Sequence, residues 1–282
     1  MRIATTVAEA RAAVAQWKSE GLRIGLVPTM GFLHEGHESL MQAAAEENDR
    51  VAVSVFVNPT QFGPGEDLDR YPQDFERDLA ICRKNGVGLV FHPTAGEMYP
   101  PPFYSAVRVD VLSAGLCGKS RPTHFEGVCT VVCKLLNIIS ADRAYFGEKD
   151  AQQLAVVRRM VLDLNLPVEV RGCPIVREAD GLAKSSRNAY LSPEERQAAL
   201  VLCRSLREAR ALADAGERDS SRIMERISGL IASEALARID YVEIVDAVSL
   251  QPVARLEGPV LIALAVFFGK TRLIDNARIS LP

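Results

Sequence analysis

Two histidines three residues apart, His34 and His37, stand in the stretch Pro28–Leu40, PTMGFLHEGHESL. Imidazoles can ligate a metal, shuttle a proton or donate hydrogen bonds to an anion. Zinc is a poor fit: HEGH spaces the histidines three apart, not at the four of HExxH, and no third ligand is evident. Taken alone, such a pair reads most simply as a helix cap. Here it follows PTMG at the mouth of an expected parallel sheet, where a phosphate site is the better reading. Helix N-terminal amides and two imidazole donors suit a triphosphate, and Gly31 and Gly36 let the backbone come close.

Other polar clusters fall at the expected carboxyl ends of strands. GEKDAQQ brings Gly147, Lys149, Asp150 and Gln153; NPTQFGPG brings Asn58 and Gln61. Asp150 alone reads as a helix cap, and Lys149 alone as a solvated lysine. Their recurrence at strand ends carries the argument, since doubly wound sheets gather ligands there. In LAKSSRN, Lys184, Ser185, Ser186 and Arg187 form a compact donor set on a loop. The plain reading is a polar linker and hinge. The chemical one is a mobile clamp that neutralises charge at a transferring phosphorus. GLCGKS at 115–120 imitates a P-loop but separates its glycines by two residues where four are needed. It reads as a loop, with Lys119 and Arg121 as contacts for an anionic substrate; His124, in RPTHFEGV, joins Arg121 as a site candidate.

The elements that must hold these residues follow from periodicity. The start, MRIATTVAEARAAVAQWKSEG, reads as an amphipathic helix. LRIGLVPT and RVAVSVFVNP are β-branched runs flanking a helix at about 35–47, which makes a βαβ unit. The alternation continues through helix YPQDFERDLAICRKNG, strand VGLVFHP, helix FEGVCTVVCKLLNIIS, strand ADRAYFG, helix DAQQLAVVRRMVLDLN and strand PVEVRGCP. The expected fold is α/β, a doubly wound parallel Rossmann-like sheet over residues 1–175. From 176 to 282 two long helical patterns precede three strands, which predicts a smaller α+β domain with the KSSR loop near its start.

Composition narrows the class. The 282 residues are 48% hydrophobic and 24% charged with net charge −3, so no strong pull toward nucleic acid or an anionic membrane is expected. No apolar run is long enough to span a bilayer, which points to a cytoplasmic protein. Six cysteines form no CxxC pair, and Cys129 and Cys133 read as small buried residues.

PTMGFLHEGH, VSVFVNPTQFGPGEDLDRYP, RPTHFEGV, DRAYFGEKDAQQ and IVREADGLAKSSRN run in order from residue 28 to 188. Together they resemble the pantoate–β-alanine ligase (pantothenate synthetase) family. More distantly, HEGH and KSSR resemble the HIGH and KMSKS signatures of class I aminoacyl-tRNA synthetases. The resemblance implies that pantoate attacks the α-phosphorus of Mg2+-ATP to give pantoyl adenylate and pyrophosphate, and that β-alanine then releases pantothenate and AMP. It implies catalytic roles for His37 as proton donor, His34 and Lys149. It implies an ATP site of Pro28, Thr29, Met30, Gly31, His34, His37, Gly147, Lys149, Asp150, Val176, Lys184, Ser185, Ser186 and Arg187. Gln61 and Gln153 would grip pantoate, with Asn58 nearby. Amide side chains suit a hydroxy acid because they bind hydroxyl and carboxylate without a competing charge. GPGEDLDRYPQD is the expected lid over the adenylate. Where the family often carries Met or Leu, this chain has Lys184.

The resemblance also implies a homodimer. ATP with Mg2+ enters as co-substrate; no zinc, no protein-held metal and no organic prosthetic group is expected. Two other classes compete. A nucleotidyltransferase acting on a phosphorylated acceptor shares the HxGH logic, but its acceptor pocket would want more Arg or Lys than NPTQF and Gln153 offer. A non-enzymatic RNA-binding relative would want more positive charge.

Overall fold

A computed structural model describes residues 1–280. In chain order the main elements are β1 (Arg2–Ala4), α1 (Val7–Ser19), β2 (Ile24–Thr29), α2 (Glu35–Glu47), β3 (Arg50–Val55), α3 (Phe75–Lys84) and β4 (Leu89–Phe91). Then come α4 (Ala95–Met98), α5 (Cys117–Ser120), α6 (His124–Ile139), β5 (Arg143–Gly147), α7 (Ala151–Asp163) and β6 (Glu169–Cys173). The last third holds α8 (Pro193–Ala198), α9 (Val201–Asp214), α10 (Ser220–Ala232), β7 (Ala237–Asp246), β8 (Pro259–Phe268) and β9 (Thr271–Ser280).

Six strands form one parallel sheet in the order β1-β4-β3-β2-β5-β6. From β2 the chain adds β3 and β4 on one side, then crosses back to add β5 and β6 on the other. The order therefore reverses between β2 and β5, the switch point where such sheets bind ligands. β2 and β3 are apolar almost throughout, as strands covered on both faces must be. The last three strands form a separate antiparallel sheet, β7-β8-β9. This is the α/β fold with a smaller α+β part that the sequence predicts.

By backbone packing the chain divides into two units. One comprises Met1–Asp110, Arg121–Glu148 and Gln153–Pro174; the other comprises Val111–Ser120, Lys149–Gln152 and Ile175–Pro282. The first has a core of Val27, Leu33, Met41, Val53, Leu79 and Val90 around its sheet. The second packs Leu202, Leu206, Ile223 and Ile227 from α9 and α10 against Ile262, Leu264 and Val266 of β8.

Four details differ from the sequence reading. The first residues are a strand, not a helix: Arg2–Ala4 pairs with Leu89–Phe91 at the sheet edge, and three residues are too few to show alternation. The helical pattern from 193 breaks at Ala199–Leu200 into α8 and α9. GLCGKS closes into the single turn α5, and a β-carbon at Gly118 would overlap the Ser113 carbonyl, so close packing accounts for that glycine. Cys129 is buried as expected but Cys133 is only half-buried.

Candidate active site

In the first unit the histidines begin α2, and each uses one nitrogen to cap it. The Gly36 N–H donates to His34 Nδ1 at 3.1 Å, and the His34 N–H donates to His37 Nδ1 at 3.2 Å. The ring centroids are 4.1 Å apart. A ring nitrogen that accepts carries no proton, so each neutral imidazole holds its proton on Nε2. Capping by Nδ1 is therefore compatible with a donor role for Nε2–H on the same ring.

The approach to α2 is a tight bend. Gly31 has φ +87° and Phe32 φ +50°, two successive residues in the left-handed region. Asp78, on the first turn of α3 and 1% exposed, accepts the Phe32 N–H at 2.8 Å and the Leu33 N–H at 2.7 Å. Burial raises the Asp78 carboxyl above the usual aspartate value, and these two amides pull against that rise. Upstream, the Thr29 hydroxyl donates to the Ser54 carbonyl at 2.7 Å and accepts from the Gly31 N–H at 3.2 Å. Pro28 is half-buried at the end of β2.

Asn58 and Gln61 sit after β3 on a short 3-10 turn. Asn58 is 1% exposed and committed to protein: Nδ2 donates to Gln61 Oε1 and to the Gly127 carbonyl, while Oδ1 accepts from Thr60 and from Tyr99 at 2.7 Å. Its action on any ligand therefore runs through Gln61. Gln61 Nε2 lies 2.8 Å from Met30 Sδ, which ties the amide to the PTMG strip. The turn lies so close to α6 that a β-carbon at Gly127 would stand 2.3 Å from the Thr60 carbonyl oxygen.

Arg121 and His124 reach the same turn from outside. His124 Nδ1 is 2.9 Å from the Gln61 carbonyl oxygen, and its Nε2 accepts from Arg121 at 3.2 Å. Arg121 also donates to the Gln61 carbonyl and grips both oxygens of Glu66, in the expected lid. Burial pushes Glu66 up, but hydrogen bonds and charge from Arg121 outweigh it and hold the carboxyl below its ordinary value. These two residues thus brace the Gln61 backbone. Gly147 ends β5 and half-buried Gln153 stands on the first turn of α7.

The second unit holds the remaining candidates. Lys149 and Asp150 lie in a 3-10 turn before α7, and Asn276 Nδ2 on β9 donates to the Lys149 carbonyl at 2.9 Å. The segment around Val176 folds back as a small hairpin. Lys184 N–H donates to the Val176 carbonyl at 2.9 Å, Arg177 pairs with Ala183, and Gly181 turns the chain at φ +100°. Ser185 caps the 3-10 turn Ser186–Tyr190 by accepting from the Arg187 N–H. Asn188 ties this turn to Glu178 and to the Ala183 carbonyl. The loop, for which the sequence offers a polar linker or a clamp, is pinned within its own unit. The main pin is Asp275 on β9, whose side chain is 1% exposed and takes both Arg177 amino groups at 2.7 and 2.9 Å. Lys119 pairs with Glu243 at 2.7 Å.

The sequence reading passed over Asp78, Gly127, Asp275 and Asn276. Two carried a signal: Asp78 lies one turn before Cys82 on the buried face of α3, and Asp275 shares the inward alternation of β9 with Leu273 and Ile279. An acid on an apolar stripe asks for a partner.

Such a fold, with a histidine-headed helix at its switch point, is a doubly wound α/β architecture of the kind that binds ligands at that point. The family described as pantoate-beta-alanine ligase matches residues 2–278, and the chain belongs to that family. It is 59% identical over 276 residues to the pantothenate synthetase of Enterococcus faecalis (strain ATCC 700802 / V583), covering 98% of each chain. It is 56% identical, with the same coverage, to that of Clostridium botulinum (strain Kyoto / Type A2). The crystal structure of pantothenate synthetase from Thermus thermophilus superposes with TM-score 0.94 at 48% identity, over 98% of this chain and 99% of that one. The pantoate-beta-alanine ligase of Francisella tularensis, complexed with beta-gamma ATP and beta-alanine, gives TM-score 0.81 at 33% identity, over 98% and 97%.

Proposed function

We propose that this enzyme condenses (R)-pantoate with β-alanine at the expense of ATP, giving pantothenate, AMP and pyrophosphate through pantoyl adenylate. The observation that carries the reading is the family match over residues 2–278. A free carboxylate is a poor acyl donor, and adenylation supplies a good leaving group. ATP brings Mg2+ with it as substrate. Pro28, Thr29, Met30 and Gly31 form the nucleotide strip, and Nε2–H of His37, with that of His34, donates to the phosphates as charge develops. Gly147, Lys149, Asp150, Val176, Lys184, Ser185, Ser186 and Arg187 supply the other nucleotide contacts. Gln61 and Gln153 bind pantoate; Asn58, Arg121 and His124 hold Gln61 in place. Residues 1–175 form the ATP- and pantoate-binding domain, and 176–282 the smaller domain that carries the KSSR loop.

The geometry supports these roles in two ways: the cap puts the proton of each imidazole on Nε2, and the Gln61 amide is braced on both its side chain and its backbone. Among the described residues no helix is long and apolar enough to cross a membrane; we place the enzyme in the cytoplasm, as a homodimer. The test is isotope exchange between pyrophosphate and ATP. Exchange that requires pantoate is the expected result, and exchange at the same rate without pantoate would contradict the reading.

A further inference from the structure

We propose that Asp78 is a positioning residue for the histidine loop: its carboxylate holds the Gly31–Leu33 bend that aims the Nε2 donors of His34 and His37. The inference rests on the reading of that loop as the phosphate strip. Phe32 occupies the left-handed region at φ +50°, where a residue with a β-carbon is sterically strained. Something must hold it there, and local strain at a functional loop persists only when its surroundings over-determine it. Asp78 supplies that hold by taking the Phe32 and Leu33 amides on separate oxygens, 2.8 and 2.7 Å away. The neighbouring residue takes the side chain as well, with the Arg77 guanidinium 5.1 Å from the centre of the Phe32 ring. Gly31 completes the fit, since a β-carbon there would stand 3.0 Å from Asp78 Oδ2 and 3.1 Å from Val55 Cγ1.

The consequence reaches the chemistry through one residue. Leu33 is fully buried and is followed by His34, whose N–H and Nδ1 build the reciprocal cap. If the bend relaxes, the His34 backbone turns, the His37 Nδ1 loses its donor, and the proton is no longer confined to Nε2 of either ring. Asp78 touches no reacting atom in this scheme; it acts through the loop.

Asp78→Asn keeps the volume but presents an NH2 group to one of the two amides, donor against donor. Histidine 15N NMR of the substrate-free protein reads the tautomers directly. The expected wild-type result is Nε2–H for both His34 and His37, with that pattern lost in Asp78→Asn while unfolding stays cooperative. Turnover in pantoate-dependent exchange should fall roughly tenfold to a hundredfold, with the KM for pantoate within about threefold, because misplacement by about 1 Å costs that much. Adding Phe32→Gly to Asp78→Asn removes the strain and should return part of the turnover. Should Asp78→Asn not fold, Gly31→Ala pushes the loop off the intact carboxylate and should give the same tautomer loss. Unchanged tautomers and near-normal turnover in the variant that folds would overturn the proposal. If wild-type protein shows no pantoate-dependent exchange while the tautomers still depend on Asp78, the substrate reading falls and the positioning role stands.

Discussion

Each unit holds a candidate nucleotide loop on one buried aspartate, and the two do it with different partners. Asp78 grips Gly31–Leu33 through two neutral backbone amides, and the loop it holds is strained at Phe32. Asp275 grips the Val176–Arg187 segment through the Arg177 guanidinium in a two-pronged ion pair, and the positive φ there falls on a glycine, Gly181, which bears it without strain. Arg177 also donates to the Gly181 carbonyl, so one side chain links β9 to the tip of the hairpin. The lesson is about what is left when each anchor is removed. Loss of Asp275 leaves the half-buried Arg177 charge without its carboxylate; loss of Asp78 leaves two amides that can turn toward water once the bend relaxes. The first anchor governs stability, the second governs aim.

The largest effect that tests this contrast is on Asp275→Ala. Breaking a buried ion pair by removing one partner costs about 3–5 kcal/mol. Arg177 is about a third exposed, so the lower end is expected, read as a drop in denaturant midpoint. A loss below about 1 kcal/mol, the worth of an ordinary exposed pair, would erase the distinction. Asp78→Asn, by comparison, should lose only about 1–2 kcal/mol, the cost of one unsatisfied donor, while losing far more in turnover.

The smallest effect is a pH slope. Burial raises the folded Asp78 carboxyl above its unfolded value, so the native state binds the extra proton. Stability from this group is therefore full below about pH 4, the unfolded value, and falls as pH rises through the folded one. Arg77 counters the rise and Asp74 adds to it. Measured upward from about pH 4, Asp78→Asn should lose that fall, so its deficit against the wild type narrows as pH increases. A deficit that widens would mean that the carboxylate is favoured by its amides more than it is penalised by burial.

How much of this was legible depended on distance along the chain. The helix read at 35–47 from PTMGFLHEGHESL is Glu35–Glu47 in the structure, because cap, apolar period and end are all local. The alternation of β2, β3, β5 and β6 with their helices was legible for the same reason. β1 was not, since its only evidence is its pairing with Leu89–Phe91. Each buried acid carried a signal, but neither pairing was legible: Phe32 and Asp78 are 46 residues apart, Arg177 and Asp275 are 98 apart, and nothing local in either loop says which acid will hold it. The histidines show a subtler limit. Residue types posed capping and phosphate donation as rivals, whereas the ring geometry, with Nδ1 on the cap, makes the two compatible.

That division of labour is the central claim, and His37→Asn tests it most directly. The asparagine oxygen can accept the His34 N–H where Nδ1 does, but the side chain ends short of Nε2 and has no donor there. The account predicts that stability changes by less than about 1 kcal/mol, the worth of a cap that is kept, and that turnover in pantoate-dependent exchange falls by roughly a hundredfold or more. Near-normal turnover in a stable His37→Asn protein would mean that this imidazole does no more than cap its helix.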